Sequence, residues 1–263
     1  MTLERFMELP ERTGGEKELR LKSILSKLGI ECARVIEEKV DLQFDALENL
    51  YENLSSRELF IKLVMANALI SYQLSGRGED WWWEFSHYFS SNPPGSNLTE
   101  AYSRFLPRSR TNRRLVAPKV SRLGRFEPFL DSLSLHELRG YYFGGMGRLR
   151  DEISRILNSK RNAKTIVFAV KMFGYAGRIA FGKFVPYPMG IEIPEDSRIS
   201  SYTKRFTDET PARFWSRIGR ETGIPPLHID SILWPLLGDD ERVMKRLRLH
   251  CPEYELALEL FSF

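Results

Sequence analysis

The segment from Leu59 to Ile70 constrains the fold more than any other, because it is apolar on almost every side of a helix. Its sequence, LFIKLVMANALI, contains neither glycine nor proline. A helix that is hydrophobic all round has to lie inside a protein, with other elements packed around it. Ser55 or Ser56 can cap its first turn, since a serine oxygen accepts from an N–H group that lacks a partner within the helix. We therefore predict a central helix with amphipathic neighbours.

Helical periodicity also dominates the rest of the chain. Apolar residues recur at helical spacing in residues 16–38 and 42–53 and in most segments after residue 164. Residues 134–157 predict a helix, a glycine-rich turn and a second helix, and residues 91–125 a flexible loop followed by a short basic helix. Residues 184–196 contain three prolines, so we expect them to be extended. Strand signals are few, and the predicted fold class is mostly α.

One stretch of the chain is strongly basic. From Arg104 to Arg125 there are eight Lys or Arg residues and no acidic residue. They are Arg104, Arg108, Arg110, Arg113, Arg114, Lys119, Arg122 and Arg125. A region with charge of one sign attracts a polyanion, for which phosphate is the obvious candidate, although it can also be a solvated loop. The net charge of +4 and the pI of about 9.0 point mildly the same way.

Composition excludes several classes of protein. With 42% hydrophobic and 28% charged residues the chain is not a disordered protein, and no stretch approaches the roughly 18 apolar residues of a membrane span. The N-terminal sequence MTLERFMELPERTGG lacks the apolar region of a secretion signal, so we expect a cytoplasmic protein.

Cys32 and Cys251 have neither metal-ligand spacing nor a histidine cluster nearby, which predicts two reduced cysteines and no metal site. Glutamine occurs only at Gln43 and Gln73, a composition weakly typical of thermophilic proteins.

A short polar hairpin separates two helical segments at residues 158–164, NSKRNAK. Backbone N–H groups and the side chains of Lys160 and Arg161 could bind a phosphate there. Lys164 leads directly into the apolar run TIVFAV, so we expect it to be partly desolvated. Burial and the positive end of a helix dipole both disfavour an ammonium ion, and a neutral amine is what a Schiff-base nucleophile requires. The alternative is a lysine that extends into solvent at a helix start.

The segment KTIVFAVKMF, followed 32 residues after its first lysine by the aspartate of IPEDSRI, resembles the helix-hairpin-helix DNA glycosylases. With ANALISYQL, GRGEDWWWEF and HIDSILW, the resemblance is closest to the archaeal 8-oxoguanine DNA glycosylases and covers nearly the whole chain. NSKRNAK stands where the commoner branches have a glycine-rich hairpin. The resemblance implies two helical lobes around a central cleft: residues 40–185 with the hairpin in one, residues 1–39 and 186–263 in the other.

The resemblance also implies a covalent mechanism. Lys164 would attack C1′ of the damaged nucleotide, and Asp196 would deprotonate the amine or stabilise the oxocarbenium-like charge. β-Elimination from the resulting imine would then nick the strand 3′ to the lesion. Independently, Asp196 is a good N-cap for the helix that follows it. Lys171 is the rival nucleophile, on roughly the same helix face and about 10 Å further along; we prefer Lys164 because it lies nearer the hairpin.

A glycosylase has to hold a base that it has flipped out of the duplex, by stacking and by hydrogen bonds to the base edge. The resemblance and the helical spacing nominate five residues for this pocket. They are Gln43, Trp82, Phe168, Asp230 and Trp234. Ordinary core packing is the alternative for the aromatic residues, and a surface position for Gln43. Which of Trp81, Trp82 and Trp83 faces the pocket is open.

The resemblance thus implies a base-excision repair enzyme, an N-glycosylase with lyase activity that acts on double- or single-stranded DNA containing 8-oxoguanine. Such an enzyme needs neither a metal nor an organic cofactor, since the lysine supplies the covalent chemistry. We expect a monomer in the cytoplasm that associates with the nucleoid while it is engaged on DNA. The alternatives are a non-catalytic helix-hairpin-helix nucleic-acid-binding protein and a helical interaction protein that binds no nucleic acid.

Overall fold

The computed structural model describes residues 13–95, 97–238 and 240–263, and every regular element in them is a helix. The predicted mostly-α class is confirmed. In chain order the α-helices are α1 Thr13–Lys39, α2 Leu42–Glu52, α3 Arg57–Leu69, α4 Gly78–Ser91, α5 Leu98–Phe105, α6 Val116–Ser132, α7 Leu135–Gly140, α8 Met146–Ile156, α9 Lys164–Phe181, α10 Ser197–Thr203, α11 Pro211–Thr222, α12 Pro226–Leu236, α13 Glu241–His250 and α14 Tyr254–Leu258. Within the described ranges, no helix has both the length and the apolar character needed to cross a bilayer. Residues 1–12, which carry most of the segment considered for a secretion signal, lie outside the described residues.

Helix α3 is the central helix that its sequence predicts. Every residue from Phe60 to Leu69 is buried except Lys62. The Oγ of Ser56 accepts a hydrogen bond from the Leu59 N–H at 3.2 Å, which caps the first turn. Helix α3 packs along α9, which is itself buried on most sides. These two helices therefore form the support on which the residues at the start of α9 are held.

Two clusters of apolar side chains make up the core. The first is built from α2 to α9, together with the extended segment up to Ile191. The second joins α1 to α10, α11, α12, α13 and the C-terminal residues. The chain leaves the second cluster after Leu42 and returns to it at Ile193. Residues 184–196, predicted to be extended, contain no helix and carry the chain across this junction.

The glycine-rich turn predicted within residues 134–157 is wrong. The chain is helical without interruption from Leu135 to Ile156, with a π-helical stretch at Tyr141–Gly145 joining α7 to α8. The cause is packing from outside the segment. The Tyr142 ring lies so close to Gly177 of α9 that a Cβ at position 177 would overlap it, so tertiary contact outweighs the low helix propensity of glycine.

The predicted loop at residues 91–125 is also partly wrong. It contains α5, whose N-cap Asn97 accepts from the Glu100 N–H at 2.7 Å. Leu98, Ala101, Tyr102 and Phe105 form the buried face of this helix. That spacing is a helical signal which the neighbouring prolines and glycine obscure. The basic helix that follows, α6, has 17 residues and is longer than predicted.

Candidate active site

A cavity of about 180 Å³ lies at the junction of the two apolar clusters. Side chains from α2, α4, α9 and α12 meet there with the loop before α4 and the segment before α10. The residues that line it are Gln43, Ser71, Leu74, Gly78, Trp82, Lys164, Phe168, Lys171, Pro194, Asp196, Asp230 and Trp234. Both residues predicted to be catalytic and all five predicted base-binding residues are therefore in one cavity, although they span 192 positions of the sequence.

Lys164 and Asp196 form the exposed end of the cavity, which we call the mouth pair. Lys164 is the first residue of α9, and its Nζ lies 3.8 Å from Oδ2 of Asp196. Asp196 is the N-cap of α10, as predicted: its Oδ1 accepts from the Ile199 N–H at 2.8 Å. The cap uses one carboxylate oxygen and leaves the other facing the amine. Helix capping therefore fixes the position of the carboxylate that faces the amine.

The expectation that Lys164 is partly desolvated is wrong for this structure. Its side chain is 54% exposed. The apolar run that suggested burial packs into the core only from Ile166 onward, and Lys164 itself lies at the surface where the helix begins. Any desolvation of this amine has to come from something that covers the mouth pair.

Lys171 and Asp230 form the opposite, enclosed end, which we call the floor pair. Lys171 Nζ lies 2.6 Å from Oδ2 of Asp230, and the two side chains are only 4% and 9% exposed. Burial acts to lower the pKa of Lys171, but the carboxylates of Asp230 and Asp41 outweigh it, so the pKa is raised above its ordinary value. Lys171 is consequently held as an ammonium ion, which is a hydrogen-bond donor and a poor nucleophile.

Aromatic side chains form the walls between the two pairs. Of the three consecutive tryptophans, Trp82 lines the cavity and meets Phe168 edge-on, with ring centroids 6.2 Å apart. Trp81 is buried behind it and donates through Nε1 to Ser71 Oγ at 2.8 Å, whereas Trp83 packs against a histidine elsewhere. Trp234 lies on the other side of the cavity, with the Arg198 guanidinium 4.4 Å from the centre of its ring. The cavity thus offers ring faces and edges to a flat ligand.

Gln43 supplies a polar group that the rest of the protein leaves unused. The residue is buried, so the surface position considered for it is wrong. Its Oε1 has no hydrogen-bond partner among the described residues. The neighbouring Asp41 caps α2 by accepting from the Gln43 N–H at 2.9 Å, and it also accepts from the Tyr175 hydroxyl at 3.0 Å. Burial raises the pKa of Asp41 to about 6.

The hairpin before α9 is held by its own hydrogen bonds. Ser154 Oγ donates to the Ser159 carbonyl at 2.6 Å, and the Ser159 N–H donates back to the Ser154 carbonyl at 3.0 Å. Lys160 and Arg161 are both exposed at its tip. Arg161 lies 3.3 Å from Asp151, at the surface. The hairpin therefore presents two cations to solvent a few residues from the mouth pair.

The basic run is less uniform than its sequence suggests. Six of its eight cations are exposed, but Lys119 is fully buried and Arg122 is partly buried. Lys119 Nζ donates to Asn112 Oδ1 above the Tyr72 ring, and burial lowers its pKa to about 8. Arg122 donates to Thr165 Oγ1 at 2.9 Å, next to Lys164. These two residues support the loops around the cavity, and only the other six are available to a polyanion.

Three residues near the cavity that sequence reasoning missed have left-handed backbone conformations. Gln73, Leu115 and Asn158 are the described non-glycine residues with positive φ, at 48°, 55° and 47°. Gln73 is exposed between Ser71 and Leu74, which line the cavity. Leu115 is 49% exposed and follows Arg114, whose guanidinium reaches the Leu74 carbonyl at 3.4 Å. Glutamine and leucine rarely adopt this conformation, so sequence carries no signal for it, and such strain concentrates at functional sites.

One group outside the cavity has metal-ligating chemistry. Ligand atoms of Cys32, Cys251 and Glu253 lie within 4.8 Å of one another in the second apolar cluster. These three residues do not line the cavity. Long-range folding has brought the two cysteines together, which their separation in the sequence could not predict.

Comparison with known proteins agrees with this geometry. A family model described as AGOG, N-glycosylase/DNA lyase, matches residues 22–258. An N-glycosylase/DNA lyase of Thermococcus kodakarensis is 64% identical over 262 residues, covering 100% of both chains. The chain belongs to the AGOG family of N-glycosylase/DNA lyases. Another relative of this name, from Methanococcus maripaludis, is 50% identical over 85% of this chain and 88% of its own.

The AGOG fold is also seen in a solved structure. The 8-oxoguanine DNA glycosylase of Pyrobaculum aerophilum, crystallised with 8-oxoguanosine, matches with a TM-score of 0.78 and 27% identity over 94% of this chain and 96% of that one. The residues matched by the AGOG family model include every residue that lines the cavity, from Gln43 to Trp234. The cavity is thus built entirely from the part of the chain that defines the family.

Proposed function

We propose that this protein excises 8-oxoguanine from DNA as the first step of base-excision repair, and then nicks the strand as a lyase. The observation that carries the proposal is the mouth pair, in which a lysine amine lies 3.8 Å from a helix-capping carboxylate at the rim of an aromatic-walled cavity. The names of the family and of its solved member support the same activity. A binder without chemistry would not need a lysine and a carboxylate in this arrangement.

In the proposed reaction Lys164 is the nucleophile. Its ammonium first gives a proton to Asp196, and the neutral Nζ attacks C1′ as the bond from C1′ to the base breaks. The departing base leaves with the electron pair of that bond and takes up a proton. A carboxylate near C1′ also stabilises the oxocarbenium-like charge that develops there. DNA lying over the mouth pair would exclude water from it, and this desolvation favours the neutral amine.

The covalent intermediate accounts for strand nicking. Opening of the deoxyribose ring gives an iminium ion between Nζ of Lys164 and C1′, which acidifies the hydrogen on C2′. Loss of that proton expels the 3′ phosphate and cuts the strand 3′ to the lesion. Water then hydrolyses the imine and restores the free lysine, so that the chemistry is complete without an external redox partner.

We propose that the flipped base occupies the cavity between the mouth and the floor pairs. Phe168 and Trp234 would stack on its faces, with Trp82 at the edge, because flat aromatic bases bind such walls. Gln43 and Asp230 would hydrogen-bond to the base edge. The unpartnered Oε1 of Gln43 supports this, since a buried acceptor without a partner costs free energy that a ligand can recover.

The DNA strand would cross the surface around the mouth pair. Lys160 and Arg161 of the hairpin would contact phosphates, along with exposed arginines of the basic run. Gln73 and Leu115, both exposed and both with positive φ, would enter the gap left by the flipped base. We further propose that the protein acts as a monomer, because one chain supplies the whole cavity, and that it works in the cytoplasm on duplex or single-stranded DNA.

Borohydride trapping tests the proposal. The protein is incubated with a duplex containing one 8-oxoguanine and reduced, and the covalent complex is resolved by electrophoresis. We expect a trapped complex with wild type and none with Lys164→Gln, while Lys164→Gln still binds damaged DNA. The matched variant Lys171→Gln should still trap if it folds. Trapping that persists in Lys164→Gln contradicts the assignment, and binding without any trapping in wild type would favour a non-catalytic DNA-binding protein.

A further inference from the structure

Cys32 and Cys251 are side by side in the second apolar cluster. Cys32 lies in α1 and Cys251 directly after α13, 219 positions apart in sequence, and both are buried. Their Sγ atoms are 3.5 Å apart. Two buried thiols in contact from opposite ends of the described chain need little rearrangement to be joined.

We propose that Cys32 and Cys251 form a reversible disulfide that ties α1 to the C-terminal segment. A disulfide is about 2.05 Å long, so each sulfur has to move by roughly 0.7 Å, which small side-chain rotations supply. This modification is independent of the proposed repair activity, because neither cysteine lines the cavity.

The reaction with a peroxide as oxidant is balanced. The Cys251 thiolate attacks one peroxide oxygen, the O–O bond breaks, and a sulfenic acid and hydroxide form. The Cys32 sulfur then attacks the Cys251 sulfur, the disulfide forms, and water leaves. In total two thiols and one hydrogen peroxide give one disulfide and two waters.

The hydrogen bonds around the two sulfurs favour Cys251 as the first to react. The Cys32 thiol hydrogen-bonded to it and the backbone N–H of Glu253 both stabilise the thiolate, and together they lower the pKa of Cys251 despite its burial. A thiolate is the nucleophilic form of cysteine. The Cys32 thiol is then already in contact with the oxidised sulfur that it has to attack.

The bond would close a very long loop. In the chain-entropy model a cross-link restricts the unfolded chain more as the loop lengthens. The constrained cluster also contains α10 and α12, which carry Asp196, Asp230 and Trp234 of the cavity. Oxidation should therefore stabilise that side of the cavity against heat and leave its geometry unchanged.

The test uses the full chain, purified with and without a reductant and then treated with equimolar hydrogen peroxide. We expect two thiols to disappear in a denaturing thiol assay, and peptide mapping without reduction to find Cys32 linked to Cys251. The Tm should rise by about 5–15 °C and fall back with dithiothreitol. Cys32→Ser and Cys251→Ser should each abolish the peroxide-dependent rise, and comparing oxidised with reduced wild type controls for any effect of the substitutions on folding.

Three results would overturn the proposal. One is an unchanged thiol count after peroxide, and another is a cross-link between two protein molecules. The third is a stoichiometric metal ion in the purified protein that protects both thiols, because Cys32, Cys251 and Glu253 would then be metal ligands. Metal analysis of the same preparation detects the third result, and a doubled mass on electrophoresis without reduction detects the second.

Discussion

The mouth pair and the floor pair place the same two residue types at opposite ends of one cavity, in very different environments. Lys164 and Lys171 are seven residues apart on α9. In the mouth pair, Lys164 is exposed and its amine lies 3.8 Å from the Asp196 carboxylate. In the floor pair, Lys171 is buried and its amine lies 2.6 Å from the Asp230 carboxylate. A loose, accessible amine can lose its proton and move onto a substrate, whereas a buried ion pair cannot. The environment thus separates the proposed nucleophile, Lys164, from a lysine that is held as an ammonium ion.

The largest expected difference between the two pairs is in stability. Lys171→Met leaves Asp230 buried without a partner and should lower the free energy of unfolding by about 3–5 kcal/mol. Lys164→Met, the same change at an exposed pair on the same helix, should change it by less than about 1 kcal/mol. Urea unfolding of both variants measures the two changes in the free energy of unfolding. Equal losses of stability would show that the two ion pairs do not differ in their contribution to folding.

Asp196→Asn separates capping from chemistry. Asparagine still caps a helix, so the fold should be kept, with a change in Tm of only a few degrees. It cannot accept the Lys164 proton, and single-turnover cleavage of an 8-oxoguanine duplex should slow by about 10²–10³-fold. If the variant instead unfolds at ordinary temperature, capping is the main role of this residue.

The enclosed end should also respond to pH. The pKa of Asp41 in the folded protein, about 6, is above its ordinary value of 3.8. The protonated Asp41 carboxyl therefore contributes fully to the free energy of unfolding below about pH 4, and this contribution is lost as the pH rises through 6. Relative to wild type, Asp41→Asn should gain up to about 3 kcal/mol between pH 4 and pH 7. Unfolding curves at several pH values test this, and a constant difference between the two proteins would refute it.

The smallest effect is expected outside the cavity. Lys160→Gln should weaken binding to damaged and undamaged duplexes equally and reduce the slope of log affinity against log salt by about 1. Glu152→Gln, at a nearby half-buried position without positive charge, is the control. A loss confined to damaged DNA would mean that Lys160 reads the lesion instead of the backbone.

Features set by local signals could be predicted from the sequence. The start of α9 at Lys164 and the Asp196 cap follow from short motifs, and the central position of α3 follows from its composition. Features set by long-range packing could not. Nothing near Lys119 in the sequence indicates that folding buries it on Asn112 and Tyr72.

The burial of Lys164 was wrongly predicted for a related reason. An apolar run indicates which part of a helix is buried, but not how far its first residue extends beyond the core. Similarly, positive φ at Gln73 and Leu115 is imposed by the loops that hold them. The family resemblance therefore predicted which residues form the candidate site. The sequence did not predict the exposure of these residues or the backbone conformation of the loops beside them.

The central claim is that Lys164, and not Lys171, forms the covalent bond to DNA, and mapping the trapped adduct tests it most directly. After borohydride reduction, nuclease and trypsin treatment, an adduct on Lys164 blocks cleavage there and should appear in a peptide of residues 162–171. An adduct on Lys171 would appear in residues 165–178 instead. We predict the first peptide, only with 8-oxoguanine DNA; finding the second would contradict the account of both pairs.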